Sequence, residues 1–165
     1  MIIQVVSGGQ TGVDQAGLLM AAEAGLDIGG WCPKGGLDEN KVCILKRHPS
    51  LKEANTINPD ERTKLNIRDS DGTLIIVPSW PLPNEIKDGT RLTIADAKRQ
   101  KKPYLIVNLT EKPQASHIIL DWIHQHNIKV INIAGPRESS SPGIHNSACN
   151  LFRELFVALS PQPRL

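Results

Sequence analysis

Two short segments at opposite ends of the chain carry the residue types of an anion site: Ser7-Gly8-Gly9-Gln10-Thr11-Gly12 and Ala134-Gly135-Pro136-Arg137-Glu138-Ser139. Each follows an apolar run that reads as a strand and precedes a segment that reads as a helix. A strand, a glycine turn and a helix start gather main-chain N–H groups at one spot. The first turn of a helix adds unpaired donors and the positive end of its dipole. Gly8 and Gly9 leave room for a ligand close to the backbone, where a Cβ would intrude; the plainer alternative is that they only shape a tight turn. Gln10 and Thr11 add side-chain hydrogen bonds. Gly89-Thr90 is a third helix start of the same kind. Lys34 and Arg137 supply positive charge, Arg137 as a planar fork that a lysine lacks. The predicted ligand-binding set is therefore Ser7, Gly8, Gly9, Gln10, Thr11, Gly12, Lys34, Gly89, Thr90, Gly135, Arg137 and Ser139, and the predicted guest is a phosphate-bearing small molecule.

Other reactive side chains are less well placed by spacing. Glu138 is the best-positioned acid for proton transfer, but no partner acid or histidine stands near it in the pattern. Arg62 and Arg68 fall on one helix and read as exposed. Asp14 falls in a first helix turn, where an acid is favourable for structural reasons. Asp69 and Asp71 read as turn formers. His48, His117, His124, His126 and His145 have no metal-ligand spacing with the cysteines, so no metal site is expected. Cys32 reads as a buried, inert thiol beside the rim of the site.

The elements that must position these groups follow from hydrophobic pattern. Ile2 to Val6 reads as a first strand, with Thr11 as cap of a helix through Ala24 that Gly25 stops. A short strand is predicted around Asp27 to Trp31. Residues 33 to 58 show weak periodicity and read as a long, functional loop. Asn58-Pro59-Asp60 opens a helix through Arg68. Leu74 to Val77 is the clearest central strand. A helix begins near Gly89-Thr90, a strand spans Tyr104 to Val107, and Gln114 to His126 is amphipathic with Ile118, Ile119, Trp122 and Ile123 on one stripe. Val130 to Ala134 is the last strand. Ser141-Pro142-Gly143 caps the last helix, with proline at its first position. Short apolar strands alternating with amphipathic helices predict an α/β fold in three layers: about five parallel strands with helices on both faces, in a single domain over residues 1 to 165. Ligands of such sheets sit beyond the carboxyl ends of the strands, where strand order reverses.

Composition limits the partners. A net charge of +2 with scattered basic residues argues against nucleic acid, and aromatic residues at 4% provide no stacking platform. No apolar run reaches the roughly 18 residues of a membrane span. The chain enters its first strand without the pattern of a signal peptide, and its three cysteines include no CxxC. A cytoplasmic location with free thiols is the expectation.

Several segments together resemble the putative molybdenum carrier family over nearly the full length. They are Ser7 to Asp14, Gly30 to Gly35, Asn66 to Ile75, Gly89 to Thr93, Lys102-Pro103-Tyr104, and Asn132 to Ser139 with Ser141-Pro142-Gly143-Ile144. That family is similar, more distantly, to the lysine-decarboxylase-like superfamily with its Rossmann-like sheet, which includes cytokinin-activating phosphoribohydrolases. The resemblance implies binding of the molybdenum cofactor, as in an algal relative: a pterin with a dithiolene-held oxo-metal and a phosphate. It also implies a homo-oligomer, a dimer or tetramer. The phosphoribohydrolases carry Pro-Gly-Gly-x-Gly-Thr-x-x-Glu, whose Glu is catalytic. Here Thr93 takes the place of that acid and Ile86-Lys87 that of the paired glycines, while Arg62 stands where the superfamily has a functional arginine. Loss of the carboxylate favours a carrier over a hydrolase. The competing expectations are a nucleotide-processing N-glycosidic hydrolase using Glu138 with Arg137 or Arg62, and a nucleotide-sensing protein.

Overall fold

The computed structural model describes residues 1–111 and 114–160. Residues 161–165, the end of the predicted single domain, lie outside that range. Five strands form one all-parallel sheet in the order β2-β1-β7-β5-β6. They are β1 (Gln4–Val6), β2 (Asp27–Gly29), β5 (Gly72–Val77), β6 (Tyr104–Asn108) and β7 (Val130–Ala134). A separate two-stranded parallel sheet pairs β3 (Trp31–Cys32) with β4 (Lys52–Glu53). The helices are α1 (Val13–Glu23), α2 (Ile44–Arg47), α3 (Pro59–Arg68), α4 (Thr90–Arg99), α5 (Ala115–Gln125) and α6 (Ile144–Leu159). The α/β, Rossmann-like architecture is the one predicted.

The central strand β5 is buried at every position, as its unbroken apolar run requires of a strand covered on both faces. Its side chains divide by parity. Leu74 and Ile76 join the larger core under α1, α5 and α6, which includes Ile131, Ile133, Phe152 and Phe156. Ile75 and Val77 join a smaller core with Leu82, Ile86 and the α4 residue Ile94. A third cluster, Leu18, Cys32, Ile44 and Leu51, ties the small sheet and α2 to α1.

Several local expectations are corrected. The strand predicted over Asp27 to Trp31 is broken at Gly30, whose φ is +122°, and the chain crosses there to the second sheet. Residues 33 to 58 contain α2, β4 and a bridge between Leu37 and Cys43, so they are no featureless loop. Thr11 does not cap α1. Gly12 holds the cap position at φ +82°, because the loop after β7 passes directly over it. Pro142 precedes α6, which starts after Gly143 in the left-handed conformation at φ +89°. Ile118, placed on the apolar stripe of α5, is exposed; Ile119, Trp122 and Ile123 are buried. The cap of α3 is as predicted, with the Asn58 side chain accepting from Asp60 N at 3.0 Å and Pro59 leading the helix. Asp71 is more than a turn former: its Oδ2 accepts from Lys129 N at 3.0 Å and Val130 N at 2.9 Å and so seats the start of β7. Among the described residues, no helix is long and apolar enough to cross a membrane.

Gly12 is where the two ends of the chain meet. A Cβ there would collide with Pro136 O and lie 2.8 Å from Glu138 N. Gly12→Ala is expected to destabilise the fold by about 1–3 kcal/mol from its positive φ alone, and by more once the collision is added. Urea unfolding of the variant beside wild type measures this.

Candidate functional site

The sheet order places the candidate site. The chain steps outward from β1 to β2 on one side and from β5 to β6 on the other, then returns with β7 between β1 and β5. Strand order reverses there, and a crevice opens at the carboxyl ends. It is a cavity of about 220 Å³. The turn after β1 contributes Gly8, Gln10 and Asp14, and α3 contributes Arg62, Thr63 and Asn66. Lys87, Asp88, Gly89, Thr90 and Thr93 come from the start of α4 and the turn before it. Asn132, Gly135 and Arg137 come from the end of β7 and the turn beyond it.

Of the predicted ligand set, Gly8, Gln10, Gly89, Thr90, Gly135 and Arg137 line this cavity; Ser7, Gly9, Thr11, Gly12, Lys34 and Ser139 do not. Lys34 is exposed, with its amide donating to Thr56 O at 3.0 Å. Ser7 is fully buried, its hydroxyl beside the Asp14 carboxyl. The glycines serve packing as much as access. A Cβ on Gly8 would meet the Arg62 guanidinium, one on Gly9 would lie 2.5 Å from Ile44 Cγ2, and one on Gly135 would lie 2.5 Å from Ile76 O.

The expectation of free donors at every helix start is corrected. Acidic side chains already answer many of them. Asp88 accepts from Thr90 N at 3.1 Å and Thr90 Oγ1 at 2.6 Å through one oxygen, and from Arg137 N at 3.0 Å through the other. Glu39 accepts from Thr11 Oγ1 and from both the amide and the hydroxyl of Ser139. It also lies 3.5 Å from Arg137 Nε. Burial alone would raise the Glu39 carboxyl, but the bonds from Ser139 and Thr11 hold it below the ordinary range. The Gln10 side chain accepts from Thr11 N at 3.0 Å and Glu39 N at 2.9 Å. Glu138 answers the start of α6: its Oε1 accepts from Gly143 N at 2.8 Å and His145 N at 3.3 Å, and it stands outside the cavity. The acid singled out from the sequence for proton transfer thus has its carboxylate at the start of α6.

One wall of the cavity carries a pair that spacing did not single out. Arg62 Nη1 donates to Gly8 O at 3.0 Å and lies 3.5 Å from Asp14 Oδ2. The two side chains are 13% and 10% exposed, so Arg62 is not the surface arginine its sequence position suggests. Its Nε is buried and has no hydrogen-bond partner among the described residues. Asp14 also accepts from Gln10 N at 3.3 Å. Burial pushes the Asp14 carboxyl up to about 6; Arg62 and the Gln10 amide oppose this, and the like charge of Asp88 adds to it. Thr93 stands in the cavity wall with its Oγ1 donating to Gly89 O at 3.0 Å. Cys32 is sealed among Leu18, Ile44 and Leu51, and burial raises its thiol. Among the described residues, no group of His, Cys, Asp and Glu side chains gathers to hold a metal ion.

Comparison with known proteins identifies the family and the fold. Residues 5–156 match the family described as Circularly permutated YpsA SLOG family. The fold is also similar to the crystal structure of a protein named Putative molybdenum carrier protein from Syntrophus aciditrophicus. The two share 38% identity at a TM-score of 0.85, over 94% of this chain and 95% of that one. No curated protein matches.

Asp14 ties the cavity to stability. Its folded-state carboxyl titrates near 6 against 3.8 when unperturbed. The native state therefore holds the proton more tightly, and ionised Asp14 weakens the fold above about pH 6. Asp14→Asn is expected to raise stability near pH 7.5 by up to about 3 kcal/mol. The gain shrinks as pH falls through 6 and is gone below about pH 4. Chemical denaturation of both proteins across that range measures it.

Proposed function

This chain belongs to the Circularly permutated YpsA SLOG family, and on that premise we propose that it is a binding protein for a phosphate-bearing small molecule held in the carboxyl-edge cavity. One observation carries the reading: the Arg62 side chain, only 13% exposed, lines the cavity at the point where strand order reverses. A guanidinium in a cavity wall is well matched to the oxygens of a phosphate. Lys87 and Arg137 add positive charge on the same walls. Asp88, seated on the Thr90 amide, the Thr90 hydroxyl and the Arg137 amide, marks how well the start of α4 accommodates an anion.

The relative named as a molybdenum carrier makes the molybdenum cofactor a specific candidate. The cavity suits that molecule through its phosphate. Arg62 would hold the phosphate. Cys32 is enclosed by aliphatic side chains and does not line the cavity, so the fit is to the organic part rather than to the metal.

A hydrolytic reading has one specific observation in its favour: a carboxyl that titrates near 6, paired with an arginine in a cavity, suits general acid–base chemistry at neutral pH. In that reading Asp14 replaces Glu138 as the working acid.

Titration calorimetry with released molybdenum cofactor, AMP and molybdate separates these readings from each other and from failure. Binding of a phosphate-bearing ligand that weakens at least about tenfold in Arg62→Ala supports the carrier. Release of free base from nucleoside monophosphates, abolished in Asp14→Asn, supports the hydrolase. Binding of none of the three ligands refutes both.

A further inference from the structure

We propose that Asn132 sets the specificity of the cavity: its side-chain carbonyl selects phosphate esters whose organic part presents an N–H or O–H donor, and disfavours esters of a purely hydrocarbon group. This rests on the reading of the cavity as a phosphate site and adds what must be attached to the phosphate.

Asn132 lies in the middle of β7, in register with Val6 of β1 on one side and Thr73 of β5 on the other. A strand in this central place ordinarily carries apolar side chains on both faces. Residue 132 is instead an asparagine, only 3% exposed. Its neighbours Ile131 and Ile133 turn into the larger core. Alternation along the strand sends Asn132 to the opposite face, where it lines the cavity. The sheet itself pairs through main-chain groups, so it has no need of the amide. A polar side chain buried in such a position is costly unless it finds partners.

Only half of that pairing is made within the protein. Asn132 Nδ2 donates to Thr73 Oγ1 at 3.2 Å, and this contact fixes which way the amide faces. Oδ1 receives no hydrogen bond from any described residue, and it is open to the cavity rather than sealed in protein. The other uncharged polar side chains of the wall are engaged. Asn66 accepts from Trp31 N at 2.8 Å and donates to Trp31 O at 3.0 Å. The Gln10 carbonyl accepts two amides. The hydroxyls of Thr63, Thr90 and Thr93 donate to Pro59 O, Asp88 and Gly89 O. An amide carbonyl only accepts. A guest that brings an N–H or O–H satisfies it, whereas a hydrocarbon guest strips it of water and returns nothing. Sites built around a buried polar group reject analogues that lack the matching group far more strongly than apolar pockets do.

The test is calorimetric titration of wild type, Asn132→Ala and Asn132→Ser with AMP, phenyl phosphate and inorganic phosphate. AMP carries amino and hydroxyl donors; the organic part of phenyl phosphate carries none. Wild type is expected to bind AMP at least about tenfold more tightly than phenyl phosphate. In both variants that preference is expected to fall to within about threefold, while the affinity for inorganic phosphate stays within about twofold of wild type. A purely structural asparagine would not move the AMP to phenyl phosphate ratio. Wild-type binding of phenyl phosphate as tight as that of AMP overturns the proposal and leaves the phosphate site standing, as does a preference that persists in the variants. A parallel loss of all three ligands in the variants also overturns it, because Asn132 then only shapes the cavity. Absence of binding for all three in wild type removes the phosphate site and the proposal together. A thermal melt checks the fold of each variant; if Asn132→Ala is unfolded, Asn132→Ser, whose hydroxyl still pairs with Thr73, and the wild-type preference decide the matter.

Discussion

The last strand of the chain runs down the middle of its sheet, and everything at the carboxyl edge depends on how closely the turn after that strand approaches the turn after the first. Val13 N donates to Pro136 O at 3.2 Å and Glu138 N donates to Thr11 Oγ1 at 3.2 Å. Gly12 has no side chain because the opposing backbone occupies that space. Contacts between positions so far apart in sequence form only after most chain entropy has been lost. The two turns therefore stand at fixed separation only in the finished fold. Glu39 reinforces the join from a third direction, binding Thr11 and Ser139 at once.

Around that join the molecule balances charge locally. Arg62 stands against Asp14, and Arg137 against Glu39. Asp88 is held by main-chain and hydroxyl donors from two turns. Such a site is preorganised: its polar groups are held by neighbours before any guest arrives. Partial burial of Asp14 works against the stability of the ligand-free protein, a common property of sites shaped for binding rather than for rigidity.

Much of this architecture was legible from residue order. The apolar runs at Leu74 to Val77 and Val130 to Ala134 matched β5 and β7, because strands covered on both faces need no alternation to be recognised. The turns after β1 and β7 and before α4 were correctly grouped at one edge, since topology alone determines that. The particular side chains were not legible. Asp14 looked like an ordinary acid in a first helix turn, and only the fold brings it to Arg62, which is on another helix. Glu138 looked reactive because it follows a glycine turn, but its carboxylate reaches forward to the amides of α6. Glu39 lay in a stretch with weak periodicity, and its partners at Thr11 and Ser139 are set by tertiary closure. A signal for the pair existed in Gly8, whose missing Cβ makes room for a guanidinium as readily as for a guest.

The departure of the chain at Gly30 has an effect on the sheet's outer margin. β2 offers only three residues of ladder before the backbone turns away to pair with β4 in the smaller sheet. A foreign strand seeking to extend the sheet on that flank meets a very short rung and then a chain already hydrogen-bonded elsewhere. Brevity and diversion together blunt the flank against the stacking of molecule upon molecule that open sheet margins invite.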